Sequence, residues 1–93
     1  MSDVIGNPDE MRQFAYHLNK LAMDFRGLKD STRAKMNQLS QSWRDRENSE
    51  FVQQFEQDIK PLEKLIDTAE RYSTFLKKKA SKLDEVKNTR FSR

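Results

Sequence analysis

Residues 43–51 of the chain, WRDRENSEF, decide the fold because they interrupt a regular spacing of apolar side chains that continues on both sides. Trp43 ends one apolar series, and Phe51 opens the next after a run of polar residues. Such a run does not continue an apolar helix face, and Asn48 has good helix-capping chemistry, so the sequence predicts a short bend at residues 44–48. Two long helices joined by so short a connection run antiparallel.

The first apolar series predicts a helix at residues 8–43. Asn7 suits the N-cap, Pro8 suits the first helical position, and Glu10 completes a capping-box pattern. Apolar residues then recur in steps of three and four as far as Leu28, which is typical of a helix packed along its length against another helix. The series consists of Met11, Phe14, Leu18, Leu21, Phe25, Leu28, Met36, Leu39 and Trp43.

The second series predicts a helix at residues 49–87, followed by a basic tail at 88–93. Pro61 lies inside this series, where it removes one backbone hydrogen bond and crowds the preceding turn, so we expect a kink there. The whole chain, residues 1–93, is therefore predicted to be a single all-α domain, an antiparallel two-helix hairpin. An unbroken seven-residue row runs through Phe55, Leu62, Ala69, Leu76 and Leu83.

The composition predicts that this hairpin associates with another protein. Hydrophobic residues make up 34% of the chain and charged residues 35%, so each helix has only one apolar stripe to bury. Small folds of this kind are usually completed by disulfides, a metal or a partner, and the chain contains no cysteine. We therefore expect a dimeric four-helix bundle. The predicted interface and core residues are Phe14, Leu18, Leu21, Phe25, Leu28, Phe55, Leu62, Ala69 and Leu76.

The sequence predicts no catalytic, metal or cofactor site, and the chain is not expected to be an enzyme. With no cysteine and a single histidine, His17, the chain has neither a thiolate–imidazole pair nor a zinc ligand set. Its carboxylates lie on the solvent faces of the predicted helices, and it has no glycine-rich phosphate loop. It also lacks an apolar run long enough to span a membrane, and residues 1–7 lack the apolar core of a signal peptide.

The C-terminal end is basic, because residues 77–93 carry seven basic and two acidic side chains. Cations near a helix C-terminus are electrostatically favourable, and this is one interpretation. The alternative is that the segment binds an anionic surface or nucleic acid. Nucleic acid is the weaker of these, because the aromatic residues lie on or beside the apolar rows, with Phe91 as the exception. The basic residues are Lys77, Lys78, Lys79, Lys82, Lys87, Arg90 and Arg93.

With its tryptophan at the midpoint, the chain resembles the Trp-X-Gly family of small helical hairpins exported by type VII secretion systems. The matching positions are Trp43, Arg44 and Asp45, with Phe51 as the aromatic residue that opens the second helix. The resemblance implies a secreted substrate, or an adaptor for a secreted effector, that forms a homodimer or a heterodimer with a similar small helical protein. It also implies a larger effector or a secretion ATPase as further partners, and Trp43, Asp45 and Phe51 as a recognition site.

Two positions depart from the family pattern. Asp45 replaces the family glycine. Glycine readily adopts the left-handed backbone conformation, whereas aspartate does so less easily but more often than most residues, so we expect a bend of altered geometry. Exported members often carry Tyr-X-X-X-Asp/Glu after the second helix, whereas Leu76 follows Tyr72 by four residues here. Either a partner supplies the export signal, or the hairpin serves another purpose. The prediction is secretion without a cleaved signal peptide, and the alternative is a cytoplasmic coiled-coil regulator.

Overall fold

A computed structural model describes the backbone of residues 6–91 and the side chains of residues 6–86. The chain forms helix α1 at Pro8–Ser42, helix α2 at Arg46–Asp58 and helix α3 at Lys60–Phe91. Helices α2 and α3 follow one another as a second arm that runs back along α1. The prediction of an all-α antiparallel hairpin is therefore confirmed, and the described residues contain no strand.

The start of α1 follows the predicted capping chemistry. The side-chain oxygen of Asn7 accepts hydrogen bonds from the backbone N–H groups of Asp9, at 3.0 Å, and Glu10, at 3.2 Å. Gly6 precedes this cap with φ of +125°, a conformation that residues with a side chain rarely adopt. A Cβ atom at Gly6 would also lie only 2.6 Å from the terminal carbon of Met11. Because that carbon ends a flexible side chain and can move, the positive φ is the main reason that glycine is favoured where the chain enters α1.

The second arm is bent at one residue, as expected from Pro61. Ile59 separates α2 from α3 and keeps right-handed helical dihedral angles, φ −78° and ψ −18°. Backbone hydrogen bonds continue on both sides, from Ile59 N–H to the Phe55 carbonyl at 3.0 Å and from Glu63 N–H to the Ile59 carbonyl at 3.1 Å. Because proline has no N–H to donate and crowds the turn before it, the arm bends here without unwinding.

The bend between the arms is shorter than predicted. It comprises residues 43–45, and α2 begins at Arg46, three residues before the predicted start at residue 49. The reason is that Asp45 is the N-cap: its Oδ1 atom accepts a hydrogen bond of 3.0 Å from the backbone N–H of Asn48. Several residues in this stretch have capping chemistry, and the sequence alone favoured the later ones.

Asp45 does not adopt the left-handed conformation in the bend. Its φ of −120° and ψ of −175° place it in the extended region, and no non-glycine residue of the described chain has a positive φ. An extended backbone is the ordinary conformation of an N-cap residue, so aspartate replaces glycine here without strain. At the other end of the chain, α3 continues through Phe91, so part of the predicted tail at 88–93 is helical.

The contact between α1 and α3 is a narrow strip in which most of the buried side chains are small. Ser73 is buried in this strip, and its hydroxyl donates a hydrogen bond of 2.9 Å to the Ala15 carbonyl of the opposite helix. Small residues let the two backbones approach closely, but they leave the larger apolar side chains at the margins. The buried apolar residues are Ala15, Ala22, Met36, Ile66, Ala69 and Ala80.

The molecule is a rod that measures 73 × 20 × 18 Å. Its radius of gyration is 21.1 Å, whereas a compact domain of this length has about 12 Å. Two helices side by side expose most of their surface, so each long face of the rod is available to a partner.

Candidate functional site

One long face of the hairpin carries a ladder of ion pairs, which we call the ion-pair ladder. Two rows with seven-residue spacing, one on each arm, face each other across the contact. The spacing keeps each row on one side of its helix. The row of the first arm contains Arg12, Asn19, Arg26 and Arg33, and the row of the second arm contains Glu56, Glu63, Glu70, Lys77 and Asp84.

Two rungs of the ladder are bidentate. Arg26 donates from Nη1 to Oε2 of Glu70 at 2.7 Å and from Nη2 to Oε1 at 3.1 Å. Arg33 binds Glu56 in the same way, with Nη2 2.8 Å from Oε1 and Nε 3.1 Å from Oε2. A guanidinium group presents two parallel N–H donors to a carboxylate, so these rungs fix the relative position of the arms along their length.

Two further pairs extend the ladder. Arg12 pairs with Asp84 near the open end of the hairpin. Lys29, whose side chain is only 13% exposed, places its Nζ atom 3.3 Å from Oε2 of Glu63. Because Lys29 lies between the helices where an apolar residue would otherwise pack, it also interrupts the apolar core.

The hydrogen bonds from Arg26 lower the pKa of Glu70 below its usual range, and the same contact raises the pKa of Arg26. Both side chains remain about 40% exposed, at 41% for Arg26 and 39% for Glu70. Partly exposed pairs contribute little net stability because solvent screens them. The main effect of the ladder is therefore to specify the register between the arms.

The ladder has one gap. Asn19 and Lys77 occupy the positions midway between the Arg12–Asp84 and Arg26–Glu70 rungs, by the seven-residue spacing of each row. An amide and an ammonium group form no ion pair, so this rung lacks the charge complementarity of its neighbours.

The opposite side of the hairpin is apolar, and we call it the apolar face. A groove between α1 and α3 is lined by Leu18, Leu21 and Phe25 from the first helix and by Leu65 and Tyr72 from the second. Its floor is the buried cluster that includes Ala22, Ile66 and Ala69. Exposed fractions are 37% for Leu21, 53% for Leu65 and 59% for Tyr72. A single hairpin therefore leaves large apolar side chains in water along this face.

The predicted interface residues divide between core and surface. Ala69 is buried within the hairpin, Leu18, Phe25 and Leu62 pack against its cluster, and Phe55 and Leu76 are half-buried. Phe14, Leu21 and Leu28 are exposed. Their role in an interface with another chain stays a prediction.

Sequence reasoning missed the small residues of the hairpin core, which are Ala15, Ala22, Ser73 and Ala80. It followed large apolar side chains, and these lie beside the contact between the helices. A usable signal was present, because Ala15 and Ala22 are seven residues apart, as are Ser73 and Ala80. The complementary charges of the two ladder rows were a second signal that was not used.

The bend brings two of its three candidate residues into direct contact. The ring centroids of Trp43 and Phe51 are 5.8 Å apart, and the ring planes are tilted by 42° to each other. Phe51 is 45% exposed. Asp45 acts on the backbone as the α2 cap. Asn48, buried at the same end, donates from Nδ2 to the Ser40 hydroxyl at 3.0 Å and so ties α2 to α1. The bend therefore presents a small aromatic surface on a turn that side-chain hydrogen bonds hold in place.

The basic residues lie along the last turns of α3. Lys77, Lys78, Lys79 and Lys82 are exposed, and none lies within 4.0 Å of a carboxylate among the residues that the structure describes. Lys87 and Arg90 belong to the α3 backbone, with side chains beyond the described set. Arg93 lies outside the described residues.

The described residues hold no cluster of three or more residues able to bind a metal ion. His17 stacks on Phe14 on the surface of α1, with the two ring centroids 6.2 Å apart. Among the helices of residues 6–91, none has the length and apolar character needed to cross a membrane.

Comparison with known proteins identifies the family. Residues 4–86 match the model of the WXG100 family, described as proteins of 100 residues with WXG. No match was found among the curated proteins or the solved structures. The match spans both arms and the bend, where Trp43-Arg44-Asp45 takes the place of Trp-X-Gly. Proteins of this family are in general non-enzymatic and typically pair with similar small helical proteins. The chain belongs to the WXG100 family of small helical proteins associated with type VII secretion.

Proposed function

We propose that this protein is a non-enzymatic interaction protein whose apolar face packs against a second small helical hairpin to form a four-helix bundle. The observation that carries the proposal is the row of large apolar side chains left in water on one side of a folded hairpin. Exposed apolar patches on small soluble proteins mark interaction sites. The residues that the bundle would cover include Phe14, Leu21, Leu28, Leu65 and Tyr72.

The dimensions of the hairpin support this packing. A standard protein–protein interface buries roughly 800 Å² per partner. A rod 73 Å long and 20 Å wide offers more than this on one long face. At about 25 cal/mol per Å² of apolar surface, burial of the exposed leucines and aromatic rings is a substantial driving force. The ion-pair ladder lies on the other side and stays solvated.

Within type VII secretion, the protein acts as an exported substrate or as an adaptor that escorts a larger effector. The bend supports a separate recognition role, because Trp43 and Phe51 form an aromatic surface at the end of the rod, away from the groove. A secretion ATPase or an effector would bind there. Since Tyr72 is followed by Leu76 where exported members often have an acidic residue, the export signal comes from the bundle partner.

Two tyrosines provide a matched test of the bundle. Tyr72 lines the groove and Tyr16 does not, although both are well exposed, at 59% and 69%. Replacing either by glutamate should leave the hairpin folded because neither is part of its core. Sedimentation at about 10 μM protein and about 0.5 M salt, which screens repulsion between like charges, would compare the variants.

We expect Tyr72→Glu to abolish association and Tyr16→Glu to retain it. Helical content by circular dichroism is the control for folding of each variant. Equal association of the two variants would contradict the proposal, because a charge in the groove would then cost nothing. A wild-type protein that sediments only as a monomer, and that also fails to pair with a second small helical hairpin, would contradict it as well.

A further inference from the structure

A strip of cations borders the apolar face on the α3 side, and we call it the basic edge. Lys64 precedes Leu65, and Arg71 precedes Tyr72, both of which line the groove. Successive residues of an α-helix are about 100° apart around its axis, so Lys64 and Arg71 lie next to the groove on the side of α3 that is away from α1. Arg71 Nη2 donates a hydrogen bond of 3.2 Å to Thr68 Oγ1, and Thr68 lines the groove. The basic edge comprises Lys64, Arg71, Lys78, Lys79 and Lys82, all exposed.

The basic edge results from a separation of charge around α3. Glu63, Glu70 and Asp84 pair with the cations of α1. Two carboxylates remain among the cations of the basic edge, because Asp67 lines a surface hollow with Lys64 and Arg71, and Glu85 lines another with Lys78 and Lys82. The edge therefore carries five cations against two carboxylates. No carboxylate of the described residues, however, lies within 4.0 Å of a cation of the basic edge. Lys79 follows Leu65 and Tyr72 at seven-residue intervals, so it lies on the same side of α3 as these two groove residues. Like charges held along one helix favour an anionic neighbour.

A second copy of this chain is a poor neighbour for the basic edge. Its α3 would present the same cations. Its α1 borders the groove with Glu10, His17, Lys20, Asp24 and Lys35, of which two are acidic and two are basic. Asp24 is also 3.9 Å from Lys20 on its own helix. Neither helix of a second copy therefore matches the basic edge.

We propose that the bundle partner is a different helical hairpin, one whose helix beside α3 carries carboxylates along its edge. This inference rests on the proposed bundle and adds the chemistry of the partner. The apolar face provides the affinity, and the basic edge selects the partner by charge, because like charges across an interface are unfavourable. The arrangement makes a self-paired dimer the weaker assembly at low salt.

A variant of the full chain serves as an acidic probe with the same apolar face. It carries K35E, K64E, R71E and K82E, so that either of its helices presents carboxylates to the basic edge. The control carries three charge reversals away from the apolar face and the basic edge: R44E, R46E and K77E. Each variant is mixed with the wild-type chain, and native mass spectrometry counts the mixed and self-paired dimers at low and high salt.

We expect the acidic probe to form mixed dimers with the wild type at about tenfold or more above the statistical ratio, with the excess shrinking at high salt. The control variant should mix near the statistical ratio. If reversal unfolds the probe, the neutral variant K64Q/R71Q/K82Q replaces it. That variant should self-associate more strongly than wild type and lose the salt dependence.

Three outcomes would overturn the inference. Statistical mixing of the acidic probe would show that the basic edge does not face the partner, while leaving the bundle itself intact. A complete lack of dimers, in any mixture, would contradict the bundle as well. Salt-sensitive binding of Tyr72→Glu to vesicles containing phosphatidylglycerol, or to duplex DNA, together with statistical mixing, would assign the basic edge to an anionic surface.

Discussion

Single residues set how closely the two arms approach. Ser73 is 1% exposed, and its hydroxyl reaches the Ala15 carbonyl across the helix contact. Buried polar groups are stable in such a place only when they are hydrogen-bonded, and this bond joins helices that are distant in sequence. Asp45 shows a second residue-level effect, because its side chain caps α2 where the family motif has glycine. The aspartate side chain therefore stabilises the start of α2, at a position where the sequence suggested only that replacing glycine restricts the backbone.

Ser73→Ala should lower the free energy of unfolding by about 1 kcal/mol, since the buried hydrogen bond disappears while the small side-chain volume is kept. Ser81→Ala, an exposed change on the same helix, is the control and should have almost no effect. Urea unfolding in the Tyr72→Glu background separates this effect from association. An equal response of the two serine variants would show that the Ser73 bond does not stabilise the hairpin.

At the scale of the elements, the sequence predicts the helices well and their contact less well. The heptad spacing and the proline at position 61 account for two long arms and the bend in the second. The contact was harder to predict, because the large apolar residues that reveal the periodicity, such as Phe14 and Leu28, lie outside it. Alanines and a serine form much of the buried contact instead, together with Ile66 and Met36, and alanine and serine carry little hydropathy signal. The start of α2 was misplaced because Asp45, Asn48 and Ser49 all have capping chemistry.

The gap in the ion-pair ladder leads to a prediction at this scale. Asn19→Glu would place a carboxylate opposite Lys77 and complete the row of rungs. We expect a gain of roughly 0.5 kcal/mol at low salt, which is the usual size for a partly exposed pair, and little gain at about 1 M salt. Asn19→Gln is the control for side-chain length. A gain of the same size with glutamine, or one insensitive to salt, would mean that Asn19 and Lys77 do not face each other.

For the whole molecule, shape decides what the fold can do alone. A rod of 73 × 20 × 18 Å has no interior beyond one line of contact, so many of its large apolar side chains stay exposed to water. The two sides of the hairpin differ: the ion-pair ladder on one side sets the register of the arms, and the apolar face on the other side leaves large side chains exposed. Composition predicts association with another protein, which stays a prediction, and only the three-dimensional arrangement shows which side of the hairpin leaves its apolar side chains exposed. The recognition role of the bend remains a prediction from family resemblance.

The open apolar face makes stability depend on concentration, because a partner that binds only the folded hairpin shifts the unfolding equilibrium. At about 0.5 M salt, where repulsion between basic edges is screened, the melting temperature of the wild type should rise by about 5 °C or more for a hundredfold increase in protein concentration. Tyr72→Glu should melt at the same temperature throughout, whereas Tyr16→Glu should follow the wild type. Calorimetry at two concentrations measures this. A wild type with a constant melting temperature would mean that the folded hairpin is stable without covering its apolar face.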